Sequence, residues 1–439
     1  MVLFFLGLII FSAWSRELVY SDSTSYFREG VIAIDSAGNP YIIFIKYSLN
    51  PNDSVYFLFS SKTTGIWQSE TLGIATNWYT NHDLAIDSFH HPCIAYSLPT
   101  SPYHLIFAYK DNQGWHKDTA GIVSVPPWGL SLAIDVYSFP MLVTDDNGQG
   151  IFISLGTDSI WHREVFDPTY VDKPSIDVDQ FNQPHISYLY GDEDLWYARK
   201  VDTVWYCRLV DDIFSLAIGG RTSLRVGPHG VIGIAYKGGY ENGYPYPIQY
   251  AELQETLWII EFPDTLNEGG VCSSKSLDFN SQDNPYIANY NVLHYKSIEG
   301  WQTETIPDVV SLYSLRIDRN DIIHIVASNN LGVWYIYGTP EGIEEGDRLR
   351  AKGERLELGV LPNIVRDNTR IQYSIPEKQE ISLNLYDIAG RRITAIAKTI
   401  LEPGIYSYNF NTTGLSHGIY FLVLEGKRDS QKQKILVIR

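Results

Sequence analysis

The chain has 439 residues, of which 44% are hydrophobic and 14% aromatic, so it can bury more than one core. Its formal net charge is −18, and the excess acid lies before Asp347, where 41 acidic residues outnumber 18 basic ones. A body this acidic repels a phosphate backbone, which argues against nucleic acid as a partner.

Residues 2–14 form the longest apolar run near the N-terminus. The run has the length of a signal-peptide core and is too short to span a bilayer. Ala13-Trp14-Ser15 fits a small-x-small cleavage site, which predicts a signal peptide over residues 1–15 and Arg16 as the first mature residue. The other segments are shorter or more polar, so we expect no transmembrane segment in the mature chain.

An internal repeat covers residues 30 to 338. Each copy has a turn position followed, seven residues later, by a branched aliphatic residue. The turn positions are Asp35, Asp87, Asp135, Asp179, Gly227, Asn280 and Asp318. The aliphatic positions are Ile42, Ile94, Leu142, Ile186, Ile234, Ile287 and Ile325. A branched aliphatic residue in every copy predicts a buried column.

Each copy continues with an aromatic residue in a predicted third strand and, in six copies, a tryptophan that opens a fourth. The aromatic residues are Phe57, Phe107, Phe152, Tyr197, Tyr250, Tyr295 and Tyr335. The tryptophans are Trp67, Trp115, Trp161, Trp205, Trp258 and Trp301. Four-strand units of this length predict a seven-bladed β-propeller over residues 16–338. The seventh copy lacks its tryptophan strand, and Arg16–Val19 can supply it, which would close the ring and leave no open edge.

After a charged, glycine-containing linker, residues 339–353, the tail alternates apolar and polar residues in short runs. The runs are Arg370–Ile375, Ile381–Tyr386, Ile405–Phe410, Ile419–Leu424 and Lys434–Ile438. This alternation predicts half-buried strands of a small Ig-like β-sandwich over residues 354–439. Glycines 390, 404 and 418 separate the runs, and Asp387 with Arg391 and Arg392 is predicted to form a capped hairpin turn.

The tail also carries four ordered motifs. They are Tyr386-Asp387 with Gly390-Arg391-Arg392, Pro403-Gly404-Ile405-Tyr406, Leu415 with Gly418-Ile419-Tyr420-Phe421-Leu422, and the closing Lys434–Ile438. Their order and spacing resemble the type A C-terminal sorting domain of the type IX secretion system. The chain has Pro362-Asn363-Ile364 where the family has Pro-Asn-Pro. The resemblance implies a sandwich that the type IX secretion machinery recognises, followed by release outside the cell or attachment to the outer-membrane surface.

The repeats resemble bacterial sialidase-like and BNR-like propellers. The Ser-x-Asp-x-Gly-x-Thr-Trp box of that family survives as Ser60 to Trp67, with Lys62 in place of the aspartate. Sialidase-type catalysis, as the resemblance implies it, needs three arginines that grip a carboxylate. The arginines of this propeller, Arg225 and Arg316 among them, are interpreted as sharing no repeat position, which argues against a sialidase.

Three groups of neighbouring carboxylates are candidates for hydrolysis: Asp145-Asp146, Asp192-Glu193-Asp194 and Asp211-Asp212. Glycoside hydrolysis needs two carboxylates held about 5–10 Å apart across a cleft. Solvated loop charges are the favoured interpretation, and a cation site or a hydrolytic pair are the alternatives.

His185 and His324 stand at one repeat position that holds Tyr, Cys, Met or Gly in the other copies. Such a mixture does not suit metal ligands, so we interpret both as strand-packing residues. The turn aspartates 35, 87, 135 and 318 are predicted to cap their own hairpins, with a calcium role as the alternative.

Three cysteines, Cys93, Cys207 and Cys272, are interpreted as structural, although one disulfide stays open. Tyr240, Tyr244 and Tyr246 lie in a Gly- and Pro-rich loop and are candidates for an exposed sugar-binding platform.

The sequence therefore predicts an all-β protein, secreted or held at the cell surface, with no cofactor, no metal and no assigned catalytic residue. The favoured function is a non-enzymatic module that binds a glycan or a protein. An extracellular polysaccharide hydrolase is the alternative, and a structural envelope component is a third hypothesis.

Overall fold

The computed structural model divides the chain into two units, residues 1–340 and 341–439. It describes residues 14–340 except 51–54, 63–64, 76–81, 192–193, 213–220, 239–246, 265–272 and 298–299. In the tail it describes 356–361, 364–365, 368–375, 378–388, 390–401, 404–427 and 430–437. All regular structure in these residues is β-strand, so none of them forms a helix that could cross a bilayer.

The first unit is a ring of seven four-stranded antiparallel sheets. Blades 1 to 6 are β2–β5, β6–β9, β10–β13, β14–β17, β18–β21 and β22–β25, and blade 7 combines β26–β28 with β1. The first strands of blades 1 to 7 are β2 (Ser25–Ile34), β6 (His82–Ile86), β10 (Leu130–Ile134), β14 (Val171–Val178), β18 (Thr222–Val226), β22 (Leu277–Phe279) and β26 (Ser311–Ile317). Each first strand contacts the first strand of the next blade, and β26 contacts β2, so they enclose a central channel.

The remaining strands complete each blade outward. The second strands are β3 (Pro40–Ser48), β7 (Pro92–Ser97), β11 (Pro140–Asp146), β15 (Pro184–Tyr190), β19 (Ile232–Lys237), β23 (Pro285–Asn289) and β27 (Ile323–Asn329). The third strands are β4 (Val55–Ser61), β8 (Tyr103–Asp111), β12 (Gln149–Leu155), β16 (Asp194–Val201), β20 (Ile248–Gln254), β24 (Val292–Ser297) and β28 (Gly332–Gly338). The outer strands are β5 (Gln68–Ala75), β9 (Gly114–Val123), β13 (Trp161–Asp167), β17 (Val204–Asp211), β21 (Leu257–Glu261), β25 (Gly300–Thr305) and β1 (Trp14–Tyr20).

The N-terminal strand closes the ring, as the sequence predicts. β1 pairs antiparallel with β28, with Trp14 opposite Gly338 and Leu18 opposite Trp334. Most of the predicted signal peptide, residues 1–13, lies outside the described residues. Trp14 and Ser15 are the first two residues of β1, and the Trp14 indole donates a hydrogen bond to Glu304 of blade 6 at 2.5 Å. A mature chain that began at Arg16 would lack this contact.

The predicted aliphatic column is confirmed, because its residues on the second strands are fully buried. All seven, from Ile42 to Ile325, have a relative exposure of 0%. The seven aromatic residues of the third strands are buried as well. These two columns place an apolar layer between each pair of blades, which is the main hydrophobic stabilisation of the ring.

The predicted capping by turn aspartates is also confirmed. Asp35 shows the pattern: its Oδ1 accepts hydrogen bonds from the backbone N–H groups of Ala37 and Asn39, both at 2.9 Å. The same pair of bonds forms at Asp87, Asp135, Asp179, Asn280 and Asp318. The third residue after the capping residue, Gly38 in blade 1, has φ of +84°, which the turn requires.

A tryptophan at the start of each outer strand fastens its blade to the preceding one. In blade 1 the Trp67 indole packs edge-on against Tyr335 of blade 7, with ring centroids 5.4 Å apart. Its Nε1 donates to Glu17 of β1 at 2.9 Å, and Lys62 binds the same carboxylate at 2.6 Å. The acceptor stands three residues after the tryptophan of its own strand, so the strands share a Trp-x-x-acid pattern.

This tryptophan girdle repeats around the ring with one exception. The donor and acceptor pairs are Trp14 and Glu304, Trp67 and Glu17, Trp115 and Glu70, Trp161 and Asp118, Trp205 and Glu164, and Trp301 and Glu261. Between blades 4 and 5 an arginine, Arg208, replaces the acid. Arg208 lies over the Trp258 ring at 5.3 Å, and the buried Nε1 of Trp258 has no acceptor.

The second unit is a β-sandwich, as predicted. One sheet contains β29 (Glu357–Leu361), β31 (Asn368–Ile375) and β34 (Gly404–Asn411). The other contains β30 (Ile364–Val365), β36 (Ser430–Val437), β35 (Gly418–Glu425), β32 (Gln379–Asp387) and β33 (Arg392–Leu401). Residues such as Ile371, Leu383 and Leu422 are fully buried in its core. Asp387 caps the β32–β33 turn by accepting from the Arg391 backbone at 2.9 Å, as predicted.

The girdle can be tested with a matched pair of substitutions. Trp67→Phe removes a hydrogen bond to a carboxylate, whereas Trp258→Phe removes an indole N–H that has no acceptor. A hydrogen bond to a charged group is worth about 1.5–3 kcal/mol, so we expect Trp67→Phe to lower the free energy of unfolding by roughly that much more than Trp258→Phe. Denaturant unfolding of both variants measures the difference, and equal losses would contradict the role of the bond.

Candidate functional site

The central channel is closed part of the way through by a segment of blade 6. Strand β22 is only three residues long, and the preceding residues 273–276 turn into the channel. Lys275 reaches across to the opposite blades, where its Nζ donates to Leu132 O at 2.8 Å and to Ile176 O at 3.3 Å. Its Nζ also lies 3.5 Å from Asp83 Oδ2. Burial lowers the pKa of Lys275, and the Asp83 charge opposes that shift.

Short polar side chains on the first strands hold this floor together. Ser314 Oγ accepts from the Ile32 backbone at 2.8 Å, and Ser175 Oγ accepts from Leu224 at 3.0 Å. Asp83 takes the equivalent place in blade 2 and accepts from Leu132 at 2.8 Å. In five blades a side chain of the preceding blade thereby pairs the inner N–H group, because a buried unpaired backbone donor would be costly.

Above this floor lies a cavity of about 550 Å³, which we call the cup. Much of its wall is one repeat position, the second residue before each first hairpin turn. That position holds Ala33, Ala85, Ala133, Asp177, Arg225, Asp278 and Arg316 in blades 1 to 7. The interpretation that Arg225 and Arg316 share no repeat position is therefore wrong. Alanines line one half of the wall, Asp177, Arg225 and Arg316 line the other half, and Asp278 is buried beside Arg225.

Arg225 is the wall arginine whose positive charge is balanced by two carboxylates. Its Nε donates to Asp278 at 2.8 Å and its Nη1 to Asp177 at 3.1 Å. Burial alone would lower the pKa of Arg225, but the two carboxylates raise it above its usual range. Burial would likewise raise the pKa of Asp278, and the charges of Arg225 and Arg316 lower it instead. Both partners therefore stay ionised and hold each other in place.

Arg316 occupies the same position in blade 7 without such partners. Its residue exposure is 8%, and its Nη1 donates to its neighbour Leu315 O at 2.8 Å. No carboxylate among the described residues lies within ion-pair distance of its guanidinium. Burial, together with the charge of Arg225, lowers the pKa of Arg316 to about 10. The fold thus maintains a buried cation whose charge is only partly compensated.

The rim of the cup comes from the capped turns of blades 1 and 7. Asp35 and Ser36 lie on one side, and Asp318, Arg319 and Asn320 lie on the other. The rim therefore offers hydroxyl, amide, carboxylate and guanidinium groups next to the alanine wall.

Among the described residues, the structure does not bring the candidate carboxylates together as hydrolytic pairs. Asp145 accepts from the Trp128 and Gly129 backbones at 2.8 and 3.0 Å, whereas Asp146 binds Arg163 at 3.0 Å. Asp211 accepts from Tyr236 at 2.6 Å, which joins blades 4 and 5. Asp192 and Glu193 lie outside the described residues. Asp145, Asp146 and Asp211 therefore each have a separate structural partner.

The remaining candidates have structural surroundings. His185 and His324 are buried, and their Nδ1 atoms lie 2.6 Å from the hydroxyls of Tyr197 and Tyr335, as the strand-packing interpretation predicts. Cys93 is buried and Cys207 half-buried, both as free thiols. Cys272 and the tyrosines 240, 244 and 246 lie outside the described residues. The described part of the chain contains no side-chain cluster suited to a metal ion.

The sequence analysis did not reveal the cup, because it recognised the repeat from positions that hold the same type of residue in every copy. The channel-wall position is informative because it varies in a pattern, from Ala to Asp to Arg, within an otherwise constant frame. The Trp-x-x-acid pattern and the serines of the first strands were also readable as repeat positions. Lys275 gave no such signal, because it stands in the irregular approach to blade 6.

Comparison with family models identifies the tail. Residues 359–438 match the secretion system C-terminal sorting domain. The tail is thus a type IX sorting domain that the secretion machinery recognises, and the chain is a secreted or outer-membrane-surface β-propeller protein. The match covers the tail alone and leaves the activity of the propeller open.

No curated protein sequence matches the chain. Similar solved structures include a protein of unknown function from Dyadobacter fermentans, 9% identical, covering 75% of this chain and 100% of its own, with a TM-score of 0.45. An α-L-arabinanase from Penicillium chrysogenum in complex with arabinobiose is 13% identical over 73% of this chain and 97% of its own, with a TM-score of 0.46. PorZ, a surface component of the type IX secretion system of Porphyromonas gingivalis, is 10% identical over 93% of this chain and 81% of its own, with a TM-score of 0.30. Likenesses this distant assign no ligand and no activity.

The two wall arginines predict opposite effects on stability. Arg316→Gln removes a poorly compensated buried charge, so we expect the melting temperature to stay level or rise. Arg225→Gln leaves Asp177 and Asp278 buried without their cation, which costs about 3–5 kcal/mol and lowers the melting temperature. Thermal unfolding at pH 7.5 measures both, and a loss in Arg316→Gln equal to that in Arg225→Gln would contradict the assignment.

The raised pKa of Asp145 predicts that the stability of the propeller depends on pH. Burial, with a contribution from the charge of Asp172, raises the pKa of Asp145 to about 7. The unfolded chain ionises this carboxyl near pH 4, so its contribution to stability is lost as pH rises from about 4 to 7. Asp145→Asn should therefore raise the melting temperature at pH 8 and change it little at pH 4.5. A shift of equal size at the two pH values would disprove the assigned cause.

Proposed function

We propose that the propeller is a binding module that holds an extracellular glycan end in the cup without altering it. The observation that carries this proposal is the two-sided cup itself, with an alanine wall facing a wall of fixed charges above the floor formed by Lys275. Its volume of about 550 Å³ is in the range of small-ligand sites and too small for a folded partner. A protein partner would have to present a single chain end or side chain.

The wall chemistry supports binding over hydrolysis. A glycosidase needs one carboxylic acid that can give up a proton and a second carboxylate across the bond. Asp177 and Asp278 are both bound to Arg225, and the pKa of Asp278 is lowered, so this carboxylate holds no proton to give at neutral pH. Asp83 lies in the floor, where its oxygens accept from Leu84, Leu132 and Ser131.

The two units then divide the work. The sorting domain, for which we propose residues 354–439 after a linker at 339–353, takes the chain out of the cell. The propeller presents its cup to the glycans at the outer-membrane surface or in the medium. The seven-bladed ring suits this task because its preformed wall needs little ordering when a ligand binds.

A side chain that fills the cup tests the proposal. Ala85→Phe places a ring beside the alanine wall, and we expect it to abolish retention of glycans that the wild-type full chain retains. Gln68→Phe adds the same ring to the exposed outer strand β5 and should leave retention unchanged. The measurement is retention on a panel of immobilised polysaccharides, with mass spectrometry of bound and released sugars.

The outcomes separate the hypotheses. Intact sugars retained by the wild type and lost in Ala85→Phe support a binding module. Shortened products that depend on an open cup would establish the hydrolase alternative. Retention that survives Ala85→Phe would place the binding surface elsewhere on the propeller and overturn the cup as the site.

A further inference from the structure

We propose that the ligand of the cup carries a single carboxylate, that of a uronic acid at a glycan end, and that Arg316 binds it. This inference rests on the proposed binding role and specifies its ligand class. It concerns one guanidinium, one wall of the cup and the rim above it.

Arg316 has N–H donors that make no hydrogen bond in the described structure. A guanidinium carries five N–H donors in a planar fork. In the described structure, one nitrogen of Arg316, Nη1, donates to Leu315 O. The other two nitrogens are not among the sealed polar atoms without a partner, and the residue lines the cup. The edge of the guanidinium formed by Nε and Nη2 therefore has access to the cavity.

Arg225, at the equivalent position in blade 5, has the carboxylate partners that Arg316 lacks. Arg225 lies between Asp177 of blade 4 and Asp278 of blade 6 and binds both. Arg316 lies between Asp278, which Arg225 already holds, and Ala33 of blade 1. The alternation of acid and arginine thus stops where blade 1 would supply the next acid. The small side chain of Ala33 leaves that place open and uncharged, so a carboxylate from a ligand fits beside Arg316.

The burial of the Arg316 charge has a free-energy cost that a bound carboxylate would reduce. A buried cation without a carboxylate is unfavourable, and the lowered pKa of Arg316 reflects that cost. Two parallel N–H groups match the two oxygens of a carboxylate, and the low local dielectric strengthens the pair. The binding of one carboxylate would compensate the charge that the fold leaves exposed to the cup.

The rim decides in favour of a sugar acid over a polyanion or an acidic peptide. At the mouth of the cup Asp318 stands beside Arg319, so the rim adds no net positive charge, and the chain as a whole carries a net charge of −18. The chain would repel additional negative charges on the ligand, whereas sugar hydroxyl groups can donate to Asp318 and to the side-chain oxygens of Ser36 and Asn320. The ligand that satisfies both conditions has one carboxylate among many hydroxyls.

Calorimetry on the full chain tests the inference with matched probes. The probes are trisaccharides of two neutral sugars that end in one galacturonate, glucuronate or mannuronate residue, each with its methyl ester, which removes the single charge and keeps the sugar. We expect at least one acid to bind about tenfold or more tightly than its ester, and Arg316→Gln to abolish that difference. Arg199→Gln, at an exposed arginine of β16, removes a charge outside the cup and should retain the difference.

Each outcome has a defined meaning. If no acid binds more tightly than its ester, the carboxylate inference is overturned, and the binding role stands as long as Ala85→Phe still abolishes retention on the polysaccharide panel. If preference for the acid persists in Arg316→Gln, another residue binds the carboxylate and the assignment to Arg316 is wrong. A tripeptide with a free carboxyl terminus that binds, while its amide and all sugars do not, would replace the sugar acid by a protein terminus.

Discussion

The structure depends above all on the contact that each outer-strand tryptophan makes with the preceding blade. A four-stranded sheet has two apolar faces and cannot be stable alone, so every blade must pack on two neighbours. The edge-on ring contact and the bond from Nε1 to a carboxylate fix the angle and register of that packing. β1 completes the series, because it supplies Glu17 as acceptor for Trp67 and its own Trp14 as donor to Glu304.

The same ring creates the candidate site. Equivalent positions on seven first strands converge around one axis, so a position that varies from blade to blade becomes a wall with distinct sides. Arg225 and its two aspartates form a rigid, neutral part of that wall. Arg316 contributes a buried charge that pairs with no described carboxylate, and costs of this kind are typical of functional sites.

Export and the proposed binding role belong to different units. The sorting domain explains where the protein goes, and the cup is the basis of the function that we propose for it there. The closed ring suits an exported chain, because every blade packs on two neighbours and only the short edges of the outer strands remain unpaired. The break in the tryptophan girdle at Arg208 shows that one of its contacts can be exchanged for a stacked arginine without opening the ring.

The sequence by itself determined the architecture. Period-two alternation, the turn aspartates, the aliphatic column from Ile42 to Ile325 and the incomplete seventh copy were sufficient for seven blades and a closing strand, because these features act locally or between adjacent strands. The tail motifs likewise determined the destination. The tertiary structure alone decided the site. Lys275 contacts the carbonyls of residues 132 and 176, more than ninety residues away, and Arg316 differs from Arg225 only in what the neighbouring blades place beside it. The repeat position that lines the channel can be read in the chain, but its burial, its ion pairs and the contacts of Lys275 arise only when distant strands converge around an axis.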